Sequence, residues 1–373
     1  MASGYNEVRV LFDQYIEGSL KERTRVKRTE KSVSVHYHVN DSTEIKNVAH
    51  FLSHIQTKAE LTVYLAKKLL VHYEYGEQKF IVAYSNIIVG NRPLTDIVTI
   101  NQMQEGKHSL EEADHQIVLH SIDIAQNDPE TILDVYSLDT DVFVLLTAFY
   151  PEIPAATTLL RLNDEKLSIL SSYNRIAAKH AEALIGWYSF KGTDNTGGFV
   201  SKALKSHFKA FLASDDDIHS AFAAFGNDPH VSDDIFKQME RFVCLLYKPT
   251  NSKFASLIEL RWVLFAKFDK EGKQLPPTKG TLVPHTRRAY YHALVLKKST
   301  MPCPNIPMAT DFSWIGKDGQ LHPEQCTVPP APEALLVLRK CGCTKGCKNK
   351  ICSCKKSCLP CTDLCDCEDK LQQ

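Results

Sequence analysis

TILDVYSLDTDVFVLLTAFY, residues 131–150, joins a strand-like run to a helix-like run through two aspartates. The alternating apolar residues of 131–137 suit a strand, and 141–150 suits a helix that starts at Asp141. A strand that passes straight into a helix is half of the unit from which parallel α/β sheets are built. The acids Asp139 and Asp141 sit against an apolar run, where an uncompensated carboxylate is costly. They are accommodated if the strand ends at a rim open to a ligand, and a divalent cation is the compensating partner this pattern suggests.

Outward from that junction the alternation continues. Residues 8–12 (VRVLF), 79–85 (KFIVAYS) and 157–162 read as strands. Residues 57–74 carry the 3.6-residue apolar period of a helix, 109–125 opens with Ser and three acids as a helix start does, and 171–185 and, after a glycine turn, 197–213 also read as helices. From 215 to 270 the pattern is helical throughout. These elements predict an α/β fold with one parallel sheet, a helical extension and a small metal-stabilised C-terminal module. The expected domains are 1–214 for the α/β part, 215–275 for the helical extension, 276–338 for an extended proline-rich connector and 339–370 for a cysteine module.

Composition narrows the function. The 44 lysines and arginines balance the 44 aspartates and glutamates, so a nucleic-acid signal has to be local. No apolar stretch reaches the ~20 residues that span a bilayer, and 1–15 lacks an apolar export segment. Nine of the twelve cysteines lie between Cys341 and Cys367. Without an export signal such clustered thiols read as metal ligands in a reducing compartment, cytosol or nucleus.

Further acids stand at strand ends and helix starts: Asp13, Glu111, Glu112, Asp114 and Asp194, besides Asp139 and Asp141. In a parallel sheet the carboxyl ends of the strands share one rim, where these acids could converge. So many carboxylates in one cleft need hard cations, Mg²⁺ or Mn²⁺. Taken singly, each also suits a helix cap or a turn.

The ordered set resembles the PIN-like and flap-endonuclease nucleases. Asp13 ends a strand with Phe12 and is followed by a basic helix. Glu112-Ala113-Asp114, Asp139-Thr140-Asp141 and Gly192-Thr193-Asp194 then follow as E-A-[ED], D-x-D and G-x-D. More closely, the chain resembles transposon-derived animal proteins that join such a domain to a C-terminal CXC module. The resemblance implies that Asp13, Glu112, Asp114, Asp139, Asp141 and Asp194 hold Mg²⁺ or Mn²⁺, and that a metal-activated water hydrolyses nucleic acid, DNA first of all. The family carries an earlier strand with one more aspartate, and only seven residues precede Val8. The start is therefore expected either to be truncated or to lack a ligand, which leaves a catalytically inactive, nuclease-derived DNA-binding or scaffold protein as the alternative.

Lys21, Arg25 and Arg28 recur at helical spacing after Asp13. They fit either a phosphate-gripping face or a solvated one, and the resemblance points to the former. At the C-terminus CGCTKGCKNKICSCKKSCLPCTDLCDC places thiols at Cys341, Cys343, Cys347, Cys352, Cys354, Cys358, Cys361, Cys365 and Cys367. Nine thiolates can serve three Zn²⁺ ions if three of them bridge. The segment resembles the CXC motif of tesmin-type DNA-binding proteins, but no cysteine stands near Lys370, Cys358 is extra, and Ile351 replaces a tyrosine that enters the minor groove. Lys345, Lys348, Lys350, Lys355 and Lys356 give 339–356 a basic character that attracts phosphate backbone. A nuclear protein with nucleic-acid partners and no membrane association is the resulting expectation; a zinc module that binds protein is a third reading. The His50/His54 pair lacks an evident third ligand, His36 and His38 are expected to meet solvent, and Cys244 is expected in the core.

Overall fold

The structure, a computed structural model, describes residues 4–13, 35–73, 77–84, 87–91, 113–153, 155–162, 165–193, 196–249, 253–254, 256–268, 272–301, 305–317, 320–328, 341–343, 347, 352–356, 361–362, 365 and 367. The chain divides into two compact units, Met1–Gln325 and Cys326–Gln373. The fold is mixed α/β. Among the described residues no helix is long and apolar enough to cross a membrane.

In the first unit strand β1 (Glu7–Leu11) runs parallel to β2 (Lys79–Tyr84), with Arg9 opposite Ile81, and β3 (Ile87–Gly90) returns antiparallel to β2. Strand β4 (Ile132–Tyr136) runs parallel to β5 (Thr157–Leu162), and β6 (Glu165–Ser168) returns antiparallel to β5. A hairpin of β7 (Trp314–Lys317) and β8 (Gln320–Pro323) completes the strands among the described residues. Where one parallel sheet is expected, two three-stranded mixed sheets therefore form. The reason lies in the connections: β2–β3 and β5–β6 are joined by two residues each, too few for a parallel crossover, so each third strand turns back.

The parallel pairs are made by helical crossovers. Helices α1 (Val48–Phe51) and α2 (Ile55–Tyr73) lie between β1 and β2, and α2 buries Ala66 against Phe80 and Val82. Helix α3 (Ala113–Asn127) precedes β4, and α4 (Thr140–Ala148) links β4 to β5. The run 171–185, expected as one helix, is interrupted at Ala177 (φ 63°), giving α5 (Ile169–Ile176) and α6 (Ala178–Lys191). Of 197–213 only α7 (Leu204–Leu212) is helical. Helices α8 (Asp216–Ala224), α9 (Asp233–Tyr247) and α10 (Leu257–Phe268) form the expected helical stretch.

Helix α6 is buried on every side from Ala183 to Phe190, and such a stretch is stable only when enclosed. Ala183, Leu184, Ile185, Trp187 and Phe190 are all buried in the main core, with Phe211, Phe222 and Phe242 from α7, α8 and α9 around them. Helix α8 comes so close that a Cβ on Gly186 would collide with the Phe222 carbonyl oxygen. Cys244 sits in this core, where burial pushes its thiol up to about 12.

Residues 279–297 correct the expectation of an extended connector over 276–338. They form a 19-residue helix, α11 (Lys279–Lys297), with Ala289, Tyr290 and Leu294 in the main core. The prolines that suggested a connector flank this helix: Pro276 and Pro277 precede its N-cap Thr278, and Pro302, Pro304 and Pro307 follow its end. A proline before the first turn is compatible with a helix start, so the signal marks the helix boundaries. The remaining helix, α12 (Ser353–Lys356), belongs to the second unit.

Three histidines are held uncharged by the first unit. Burial pushes His120 and His207 down to about 3 and His285 to about 4. The Arg9 guanidinium beside His120 and the Lys191 charge near His207 reinforce the effect. Trp187 donates from Nε1 to His207 Nδ1 at 2.9 Å, which also requires the neutral ring.

Two outcomes are expected. Gly186→Ala should cost about 1–3 kcal/mol of unfolding free energy in urea melts, the usual range for overpacking; a cost below about 0.5 kcal/mol would show that α6 and α8 are not in close approach. The unfolded chain binds protons to these histidines below about pH 6.5 while the folded chain does not, so stability is present above that pH and falls as pH drops toward 4. Each such histidine contributes a slope of about 1.4 kcal/mol per pH unit in that window, which urea melts between pH 7 and 5 would read.

Candidate metal centres

The aspartates of the 131–150 stretch lie where β4 gives way to α4. Asp139 is the N-cap of α4 and accepts from the Asp141 backbone N–H at 2.9 Å; its own N–H donates to Ser137 Oγ at 3.1 Å. Asp141 occupies the first turn of α4, and Asp114 the first turn of α3. One carboxylate oxygen from each of Asp114, Asp139 and Asp141 lies within 4.8 Å of the others. Asp13, two residues beyond β1, accepts from the Ala113 backbone N–H at 2.9 Å and so stands beside the start of α3. Segments 100 or more residues apart at one end and about 25 at the other thus bring carboxylates to one place.

Two helix N-termini face this group, and their partial positive charge offsets part of the repulsion. The offset is incomplete, because two unit charges 4 Å apart repel by about 4 kcal/mol at an effective dielectric of 20. Helix α6 supplies what else is near. The Tyr188 hydroxyl donates to Asp141 Oδ1, and burial followed by the charges of Asp141, Asp139 and Asp114 keeps that phenol protonated far above the usual tyrosine range. Lys191 lies with Nζ 4.0 Å from the Tyr188 ring centroid and donates to the Gly192 carbonyl at 3.1 Å. Burial holds its ammonium below the usual lysine range, and the Asp141 charge works against that shift. Carboxylate oxygens grouped in this way are the donor type that hard cations take.

Of the acids proposed from the sequence, Asp114, Asp139 and Asp141 stand together and Asp13 is linked to the same helix start. Glu112 and Asp194 lie outside the described residues, as do Lys21, Arg25 and Arg28. Tyr188 and Lys191 escape sequence reasoning. Their signal is the polar end of the apolar run ALIGWYSFK (183–191), directly before the Gly192-Thr193-Asp194 motif.

The second unit is built around sulfur. Besides the exposed Cys326, its described thiols are Cys341, Cys343, Cys347, Cys352, Cys354, Cys361, Cys365 and Cys367, and none of these forms a disulfide. Cys358, Lys345, Lys348 and Lys350 lie outside the described residues, while Lys355 and Lys356 form the exposed end of α12. The Sγ–Sγ separations are 3.8 Å for Cys341–Cys347, 3.9 Å for Cys341–Cys367, 3.8 Å for Cys354–Cys365 and 3.6 Å for Cys347–Cys361. A tetrahedral ion with metal–sulfur bonds of ~2.3 Å sets its sulfurs ~3.8 Å apart. The thiols fall into three overlapping foursomes, Cys341/343/347/352, Cys341/352/354/361 and Cys341/361/365/367.

Backbone N–H groups aim at the sulfurs. The Lys355 and Cys354 amides hold the Cys352 thiol down at about 6, against its burial. Burial pushes Cys365 up, but the Cys341 and Thr362 amides, at 3.3 and 3.4 Å, outweigh it and leave that thiol at about 6 as well. Such donors favour the thiolate, the form that binds metal. This cluster can hold a metal ion such as zinc.

No family model, curated relative or solved structure matches the chain. The functional reading therefore rests on these two donor sets.

Cys341 belongs to all three foursomes and Cys343 to one. Metal content measured on purified protein should accordingly fall by at most one ion in Cys343→Ser and by more than one in Cys341→Ser. Equal losses in the two variants would contradict the shared role of Cys341.

Proposed function

We propose that the chain is a Mg²⁺- or Mn²⁺-dependent nuclease with a PIN-like, flap-endonuclease-like α/β domain and a zinc-binding CXC module that helps it bind DNA. The observation that carries the reading is the meeting of Asp114, Asp139 and Asp141 at two helix N-termini, with Asp13 alongside. When bound there, the ions would activate water and neutralise charge on a phosphodiester. The chain's own residues hold and orient: Asp139 fixes the first turn of α4, and Tyr188 sets the rotamer of Asp141. Lys191, held low by burial and near Asp141, would meet a phosphate bound at those ions. Glu112 and Asp194 would complete the ligand set, and Lys21, Arg25 and Arg28 would grip the strand. In the module nine thiolates would serve three Zn²⁺ ions, three of them bridging, and Lys355 and Lys356 with Lys345, Lys348 and Lys350 would meet the phosphate backbone. Nucleic acid as partner and the nucleus as location follow from that reading.

A second reading has an observation of its own. Asp141 Oδ1 already accepts from Tyr188, and Asp139 Oδ1 from the Asp141 N–H. Carboxylates engaged in this way also serve as plain structural caps. That favours a catalytically inactive, nuclease-derived protein that binds DNA or acts as a scaffold.

Cleavage of labelled single-stranded and flap DNA in Mn²⁺ or Mg²⁺ separates the two. The nuclease reading expects metal-dependent cleavage that falls by more than ~100-fold in the near-isosteric Asp141→Asn, since even outer-shell changes at metal sites cost 10–100-fold. Absence of cleavage, with metal-independent DNA binding equal in both proteins, would remove the nuclease reading and leave the scaffold.

A further inference from the structure

A further cluster of nitrogen and oxygen donors, sharing no residue with either centre, lies on helix α2. Residues 35–39 run extended along this helix and are pinned to one of its faces. The Tyr37 N–H donates to Thr57 Oγ1 at 2.9 Å, the Val39 N–H donates to Glu60 Oε2 at 3.0 Å, and Asp41 pairs with Lys68 at 2.7 Å and accepts from Tyr64 at 2.6 Å. Thr57, Glu60, Tyr64 and Lys68 form one stripe at helical spacing. The register places His36 and His38, both on the same face of the extended segment, against Glu60. His36 Nε2 lies 2.8 Å and His38 Nδ1 3.3 Å from the same oxygen, Glu60 Oε1.

We infer that His36, His38 and Glu60 form a binding site for a Zn²⁺ ion. Two imidazoles and one carboxylate offer donor atoms that all lie within 4.8 Å of one another. Bonds of ~2.0–2.2 Å to a four-coordinate ion set neighbouring donors ~3.3–3.5 Å apart, so the site needs an opening of about half an ångström at His36 and almost none at His38. Two histidines with one glutamate is a ligand set that zinc takes with a fourth position left to water. The outer support is in place: the Val39 amide orients Glu60 through its other oxygen, as groups behind zinc ligands do. That bond is also the main cause of a Glu60 carboxyl held below its usual range. His54 stacks on His36 with ring centroids 5.2 Å apart, but its Nδ1 accepts from the Gln56 amide, so it shields the site and is not a ligand as placed.

This site is independent of the nuclease reading and of the cysteine module. The test counts zinc in the full chain at a buffered free concentration, in wild type, His38→Ala and Glu60→Gln. A mercurial thiol reagent first releases the zinc held by cysteine, and a chelator then takes the remainder. The expected result is one equivalent of mercurial-resistant zinc in wild type and none in either variant, with the mercurial-released fraction unchanged in all three. His38 has a side chain 83% exposed, so its loss leaves the fold standing and a melting temperature taken without zinc should not move. Wild-type content of mercurial-resistant zinc in His38→Ala, or none in wild type, would overturn the site.

Discussion

A helix with almost no solvent face has to be enclosed before anything around it can be placed, and α6 is such a helix. Its side chains from Ala183 to Phe190 are covered by α7, α8, α9 and α11, and Gly186 lets α8 approach to backbone contact. Because that packing is fixed, the helix end is fixed, and with it Tyr188 and Lys191. The acidic group at the starts of α3 and α4 therefore faces a wall whose position the core determines. His285 extends the same arrangement, meeting the Phe190 carbonyl at 2.9 Å. Core packing and site geometry are here one constraint.

The donor sets differ in the chemistry they invite. Oxygen from Asp114, Asp139 and Asp141 suits hard, labile cations that keep water among their ligands. Sulfur at 3.6–3.9 Å spacing suits an ion that organises the chain, since the stretch 341–367 has few apolar side chains besides its cysteines. The first centre draws its rigidity from the fold around it, and the second lends rigidity to its own.

How much of this was legible depended on range. The elements with clear periods are found within a few residues of their expected places: β1, β2, β4 and β5 among the strands, α2, α3 and α4 among the helices. Periodicity says nothing about which strand pairs with which, so the separation into two sheets stayed hidden. The clue was chemical: Ser85-Asn86 and Asn163-Asp164 are turn-forming pairs between apolar runs, the mark of a hairpin. Helix α11 was masked by prolines at its borders, although its interior LVPHTRRAYYHALVL carries few helix breakers. The aspartates were legible because each stands at a strand end or helix start. The cluster at His36 was not, since its glutamate lies 24 residues away and joins the histidines only when 35–39 lies along α2. His-x-His on an extended stretch was the available hint.

Sharing of Cys341 among three foursomes has a consequence for how the small unit responds to its surroundings. A sulfur that donates to more than one ion gives each of them less electron density than a sulfur serving one. Filling or emptying any foursome thus alters the affinity of the other two through a common atom. If all three foursomes take an ion, they do not fill independently: each ion bound weakens the hold on the next, and filling spreads over a wider range of metal concentration than three separate sites would need.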